Sequence, residues 1–132
     1  MRKFQDPGLL LTEVASFLGG NGLGTVNTNL FKQTMPGTPT VCTVVYHTGG
    51  PSFPGNPMHY PTFGIQHRNT HVSSGLATVK AIGNLLNDRW NVLPTIQGKI
   101  AITGEMGGYY LDSNGHPIHV LNFAMATTQQ LH

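Results

Sequence analysis

Charged side chains are scarce in this sequence: seven lysines and arginines and five aspartates and glutamates in 132 residues, a formal net charge of +2. The basic residues are scattered, with only Arg2 and Lys3 adjacent. So weak a balance argues against a nucleic-acid-binding surface, which needs a clustered basic patch. A soluble monomer usually carries more charge, because charge keeps surfaces apart. A neutral surface rich in Gly, Thr and Asn suits a subunit that lives inside an assembly. One cysteine, Cys42, excludes an intrachain disulfide. Set between Val41 and Thr43 in an apolar run, it is expected to be buried and inert, packing as a small hydrophobe. No apolar stretch is long enough to span a bilayer. The start, Met1-Arg2-Lys3-Phe4 followed by Asp6-Pro7, lacks a signal-peptide pattern, so the chain is expected to be made and kept in a cytoplasm. There is no internal repeat and no low-complexity tract.

What is present fits one domain over 1–132 with a real core. Asp6-Pro7 opens a helix, with Asp capping free amides and Pro tolerated in the first turn. Leu10, Val14, Phe17 and Leu18 then share a face, and Gly19-Gly20 stops it. The loop Gly19–Gly24 reads GGNGLG. A phosphate-binding loop needs a strand before and a helix after; here the order is reversed, so it reads as a cap and turn. A first strand is expected over Asn29–Met35, ended by Pro36-Gly37-Thr38-Pro39. A β-branched, nearly continuous second strand over Val41–Tyr46 reads as central. A third, Pro61–Arg68, alternates, with Phe63, Ile65 and His67 facing one way and Thr62, Gly64, Gln66 and Arg68 the other. A second helix runs over Val72–Asn87 on the stripe Val72, Leu76, Val79, Ile82 and Leu86, although Gly75 and Gly83 each weaken it by roughly 1 kcal/mol. Strands over Lys99–Met106 and Ile118–Thr127 follow. The latter alternates through Ile118 and Val120, then Asn122 or Phe123, with a register break. Between them Leu111–Gly115 reads as a turn, with Asn-Gly supplying positive backbone angles. The fold expected is α+β: a mostly antiparallel sheet of four to five strands with two helices packed on one face, in the order α-β-β-β-α-β-β.

No cluster of reactive groups emerges. The seven histidines, His47, His59, His67, His71, His116, His119 and His132, lack the tight ligand pairs of a zinc site. His67 and His71 straddle a strand-to-helix boundary, and His116 and His119 straddle Pro117. There is no HExxH, no CxxC and no GxSxG elbow around Ser52, Ser73, Ser74 or Ser113. Asp6 reads as a cap and Asp112 as a turn residue, and nothing supports an acid pair from Glu105 and Asp112. No catalytic residue, cofactor or metal is expected.

Residues 47–60 form a long punctuated segment with three prolines and three glycines. A loop that long in a small domain is functional or disordered. His47, Phe53, Met58, His59 and Tyr60 are its candidate interface residues, with Phe53, Met58 and Tyr60 as apolar anchors that order on assembly.

Several segments taken in order resemble one family. They are LLLTEVASFL followed by GNGLGTVNTNLF; VVYHTGG at Val44–Gly50 with prolines after it; YPTFGIQHRN at Tyr60–Asn69, leading into a helix that ends in Leu85-Leu86; and YYLDSNGHPIHVLNFAM near the end. The stretch from Leu10 to about Thr127 is similar to the minor capsid or tail-terminator family of long-tailed phages. The resemblance implies a structural virion protein of the tail and neck, assembled in a host cytoplasm. It implies a hexameric ring that halts tube polymerisation and meets the head connector. The implied partners are further copies of the chain, the tail tube protein and the head–tail connector, with phage DNA passing through unbound and no membrane involved. The scarcity of charge departs from the family and disfavours an interface built on salt bridges. A head-completion or adaptor protein of the neck is the alternative within the virion; a small host enzyme or ligand-binding domain, or a regulatory dimer, stands outside it.

Overall fold

The computed structural model describes residues 7–50 and 57–128. Its elements are α1 (Pro7–Gly20), β1 (Leu30–Lys32), β2 (Cys42–Gly49), β3 (Thr62–Arg68), α2 (Val72–Leu86), β4 (Arg89–Trp90), β5 (Lys99–Ile102), β6 (Tyr109–Leu111) and β7 (Pro117–Ala126). All seven strands join one sheet in the order β1-β2-β3-β7-β5-β4, with β6 paired to β7. The α+β class and the mostly antiparallel sheet are as the sequence implied. The strand count is higher than four to five, because β4 and β6 were not recognised. The order is therefore α-β-β-β-α-β-β-β-β. None of the described helices is long and apolar enough to cross a membrane.

The longest strand, β7, organises the sheet. One edge pairs with all of β3, from Thr62↔Ala124 to Arg68↔Ile118. Its other edge is shared end to end: β6 takes Pro117–His119 and β5 takes Phe123–Ala126. The β3–β7 register runs without interruption, so the expected break near Asn122 is absent. The phase also differs. Pro117, His119, Leu121, Phe123 and Met125 are buried, whereas Val120 and Asn122 lie on the less covered face. A buried histidine in the core phase, and Ile118 and Val120 outside it, disguise the alternation.

Both helices cover the face that carries Val45, Phe63, Ile65, Leu121, Phe123 and Met125, and one core joins them to Leu10, Leu11, Val14, Ala15 and Leu18 of α1 and Ile82 and Leu86 of α2. Phe63 and Phe123, directly paired across the ladder, stack with centroids 5.1 Å apart. Such a pair adds about 0.5–1.5 kcal/mol beyond the area it buries. The helix glycines have a packing reason. A Cβ on Gly75 would lie 2.6 Å from Nδ1 of His119, and one on Gly83 would lie 2.6 Å from Cε of Met106. Glycine at these positions lets α2 lie close on the sheet, which offsets its poor helix propensity.

Strand β1 is shorter than expected and runs parallel to β2. It stops because Gln33 turns left-handed, φ 72°. The chain from Thr34 to Val41 then folds over the guanidinium of Arg68, which is only 8% exposed. Arg68 donates from Nε to the Thr40 carbonyl at 2.9 Å, and from one terminal nitrogen to those of Pro36, Pro39 and Gly37 at 2.7, 3.0 and 3.2 Å. A buried guanidinium is tolerable because its donors meet these oxygens. Cys42 is buried beside it. Burial raises the thiol above its ordinary pKa, against the opposing pull of Arg68.

A second buried polar group ties α1 to the link between β4 and β5. The carboxyl of Glu13, 5% exposed, accepts from the amides of Thr95 at 2.9 Å and Ile96 at 3.0 Å, and from the Thr95 hydroxyl. These bonds place Leu93 and Ile96 in the core. Glu13→Ala is expected to cost about 3 kcal/mol in equilibrium denaturation, because orphaned buried amides cost roughly 1–3 kcal/mol each. Glu13→Gln is expected to cost less, since its carbonyl can accept both amides while its NH2 donates to Thr95. A Glu13→Ala protein as stable as the parent would remove this clamp from the account.

Candidate functional site

Among the described residues the candidate reactive groups come together at one place only, where His67 and His119 face each other across the β3–β7 ladder. His67 and His119 are buried on the helix side of the sheet, His71 is exposed at the start of α2, and His116 lies at the β6–β7 turn, 3.8 Å from Asp112. Among the described residues, no three His, Cys, Asp or Glu side chains could hold a metal ion together. The Asp112 carboxylate is committed to the turn, accepting from the amides of Asn114 and His116, both at 2.9 Å. Its pKa is lowered, chiefly by the His116 amide. Within that turn only Gly115 takes a positive φ, 78°, so the positive angle expected for Asn114 is not needed.

The segment proposed as an interface loop is more tied down than its composition suggested. β2 continues through His47 to Gly49, which removes the first three residues of 47–60 from the loop. His59 is buried and bridges Thr127, its amide donating at 2.7 Å and its carbonyl accepting at 3.0 Å. His47, Met58 and Tyr60 are half-buried, and Phe53 lies outside the described residues. The two arms meet at Gly50, φ 119°, where a Cβ would stand 2.1 Å from the Tyr60 carbonyl oxygen. Glycine permits both the backbone angle and the contact.

The more informative surface is a strand edge. Sheet edges expose unpaired backbone, so proteins shorten, charge or cover them. β1 is closed by its own neighbourhood: the Leu30 amide donates to Thr25, its carbonyl accepts from Asn27, and the Lys32 carbonyl accepts from Thr34. β6 is different. The bonds Val120 N–H to Gly108 and Asp112 N–H to His116 fix which antiparallel pairs exchange hydrogen bonds. By alternation, Tyr109 and Leu111 then point their N–H and C=O groups away from β7. Tyr109, Tyr110 and Leu111 are 50%, 48% and 61% exposed. β6 is thus short, uncharged, apolar and open. The β4 edge is shorter and bears Trp90, 64% exposed, with the Lys99 ammonium 5.8 Å from its ring centre.

Sequence reasoning missed β6 by starting the turn at Leu111. The signal was the apolar triplet Tyr109-Tyr110-Leu111 immediately before Asp-Ser-Asn-Gly, with a strand after it.

The sequence matches the bacteriophage tail terminator protein family over residues 17–129. The fold is similar to that of a chain in the virion of a native gene transfer agent particle, with a TM-score of 0.64 at 14% identity, over 95% of this chain and 98% of that one. No curated protein matches the sequence.

The Asp112 cap should be measurable by itself. A lowered aspartate pKa contributes stability that is present above the ordinary value near 3.8 and lost as pH falls through the lowered one. The cap is therefore expected to be intact at pH 5. Asp112→Ala should accelerate amide exchange at Asn114 and His116 at that pH while leaving β2 and β3 protected. Unchanged exchange at those two amides would show that the carboxylate does not hold the hairpin.

Proposed function

The chain belongs to the bacteriophage tail terminator protein family, which makes it a structural protein of the virion tail and neck, and we propose that it works by closing on copies of itself. The closed form is a ring, hexameric in this reading, that caps the tail tube and joins it to the head connector. Each copy contributes a single domain and no catalysis. The observation that supports this is the open, uncharged edge of β6.

A cyclic ring needs a heterologous contact, in which one patch of a subunit meets a different patch of the next. Strand addition to an open edge supplies direction and backbone hydrogen bonds, and exposed tyrosines suit an interface core. No lysine or proline guards β6, the usual protection against unwanted pairing. The rim at Met58–Tyr60 is a suitable opposite patch. It adjoins Thr127, whereas β6 adjoins His119, so the two lie roughly 27 Å apart by strand rise along β7 and its extension. In this arrangement β6 of one copy meets the Met58–Tyr60 rim of the next, with His47 close behind. An interface of this kind does not depend on charge, in keeping with the net charge of +2. A weakly charged lumen would let DNA pass without strong phosphate binding.

Leu111→Pro tests the reading. The Leu111 amide points outward, so proline removes a donor that β7 does not use and bars an incoming strand. Native mass spectrometry and negative-stain imaging are expected to show closed rings for the parent protein. The variant should be a folded monomer with its melting temperature within about 3 °C of the parent's, as expected for a change of about 1 kcal/mol or less. Rings formed equally well by Leu111→Pro would eliminate β6 as the contact. A parent protein that stays monomeric even with tail tubes present would eliminate the ring.

A further inference from the structure

Two histidines have no role in the proposed ring contact, and they lie under α2, which packs on β7 and β3. His67 and His119 are direct partners in the β3–β7 register, and are 3% and 1% exposed. Being opposite each other, both rings face the helix side of the sheet, with α2 above them. Gly75 of α2 rests on His119, and beside it the ring of Tyr109, its partner across the β6–β7 ladder, lies with its centre 5.2 Å away.

The hydrogen bonds around His67 specify a neutral ring. The Asn69 NH2 group stands 3.0 Å from Nε2, and the Thr43 hydroxyl stands 2.9 Å from Nδ1. With Nε2 accepting from Asn69, the ring proton sits on Nδ1 and donates to Thr43. A second proton on Nε2 would face the Asn69 donor. Turning the amide over would surrender its oxygen's bond to the Thr70 amide at 2.7 Å. His119 has no hydrogen-bond partner for either nitrogen among the described residues. A protonated His119 would need two acceptors where it has none, so its charge would be buried and uncompensated.

We propose that the His67–His119 pair is an acid-sensitive latch: protonation of either ring releases the N-terminal half of α2 from the sheet, and with it Tyr109 and β6. The release of α2 rests on the fold alone; its effect on assembly rests on the ring reading. Burial lowers the pKa of both rings; for His67 the charge of His119 adds to the effect and outweighs, with it, a backbone hydrogen bond to Cys42 that favours the proton, bringing it to about 4. A histidine whose folded pKa is depressed binds its proton more readily once released, so the closed form is fully favoured above about 6.5 and loses ground as pH falls toward 4. Each ring that takes up a proton on opening makes opening about tenfold easier per pH unit in that window.

α2 carries His71 and Lys80, both exposed; β2 carries His47 on the same face and Cys42 on the other; β3 carries Arg68 on the other face. β6 brings Tyr109, and the link before it carries Glu105, exposed. No carboxylate among the described residues supports a proton on either ring.

The test is amide exchange across α2 and β6 of the full chain at pH 7 and pH 4.5, corrected for intrinsic rates, in the parent and in His119→Leu. In the parent, opening at Leu76 and Val79 and in β6 is expected to rise at least tenfold on acidification, with β2 unaffected. In His119→Leu the rise should shrink to the contribution of His67. An equal rise in the variant, or none in the parent, would overturn the latch. Should the variant fold poorly, imidazole NMR of the parent decides the matter: a His119 ring titrating near 6.5 with α2 still protected overturns it, and one titrating well below, together with loss of protection, supports it. The exchange at Leu76 and Val79 reads out whether or not rings form, so failure of the latch and failure of the ring remain distinguishable.

Discussion

One strand carries a double obligation on which the rest of the molecule depends. β7 must satisfy β3 along one edge and two separate strands along the other, β6 at its start and β5 at its end. Because side chains alternate strictly along a strand, this pairing leaves no freedom in which residues face the helices. Leu121, Phe123 and Met125 therefore enter the core, and the same phase takes His119 in with them. A slip of one residue would expose the phenylalanine stack and drive Asn122 inward. The buried histidine is thus a consequence of the register that builds the core.

The few ionisable groups are used where loops would otherwise float. Arg68 holds the chain that crosses from β1 to β2 by its carbonyls, and Glu13 holds the β4–β5 link by its amides. Both are buried. Each satisfies backbone groups that neither sheet nor helix reaches, so these interactions set loop geometry more than surface character. The exposed surface is left poorer in charge than the composition alone implies. That is the condition under which an open apolar edge can meet another chain without repulsion.

The parts legible in the sequence were those with sustained periodicity. β2, β3 and α2 lie within a few residues of where the pattern put them, because each has enough residues to show its period. β4 and β6 have two and three residues, too few for any alternation to register. The parallel pairing of β1 depends on a crossing loop held by Arg68, a contact 28 to 32 residues away in sequence that no local pattern carries. The candidate site suffered from the same limit. Prolines and glycines in 47–60 signal irregular backbone, although Gly49 belongs to β2, and composition does not say whether a backbone is bonded. At His59 it is, to Thr127 at the far end of β7. The apolar triplet of β6 was in plain view and was absorbed into its turn.

β6 differs from an ordinary edge in being fixed from behind. Its turn is capped by Asp112, the flanking Gly108 and Asp112 are hydrogen-bonded to Val120 and His116, and Tyr109 packs on His119. In the proposed ring an incoming strand would meet a template that is already ordered, and binding to an ordered template avoids the entropy of arranging it. The same support couples the edge to the core. Tyr109 rests on a ring that also bears on Gly75 of α2, so an event that moves His119 is felt on both sides of it. The surface proposed to meet another subunit is in this way mounted on a buried ring that has no acceptor for a proton on either nitrogen among the described residues.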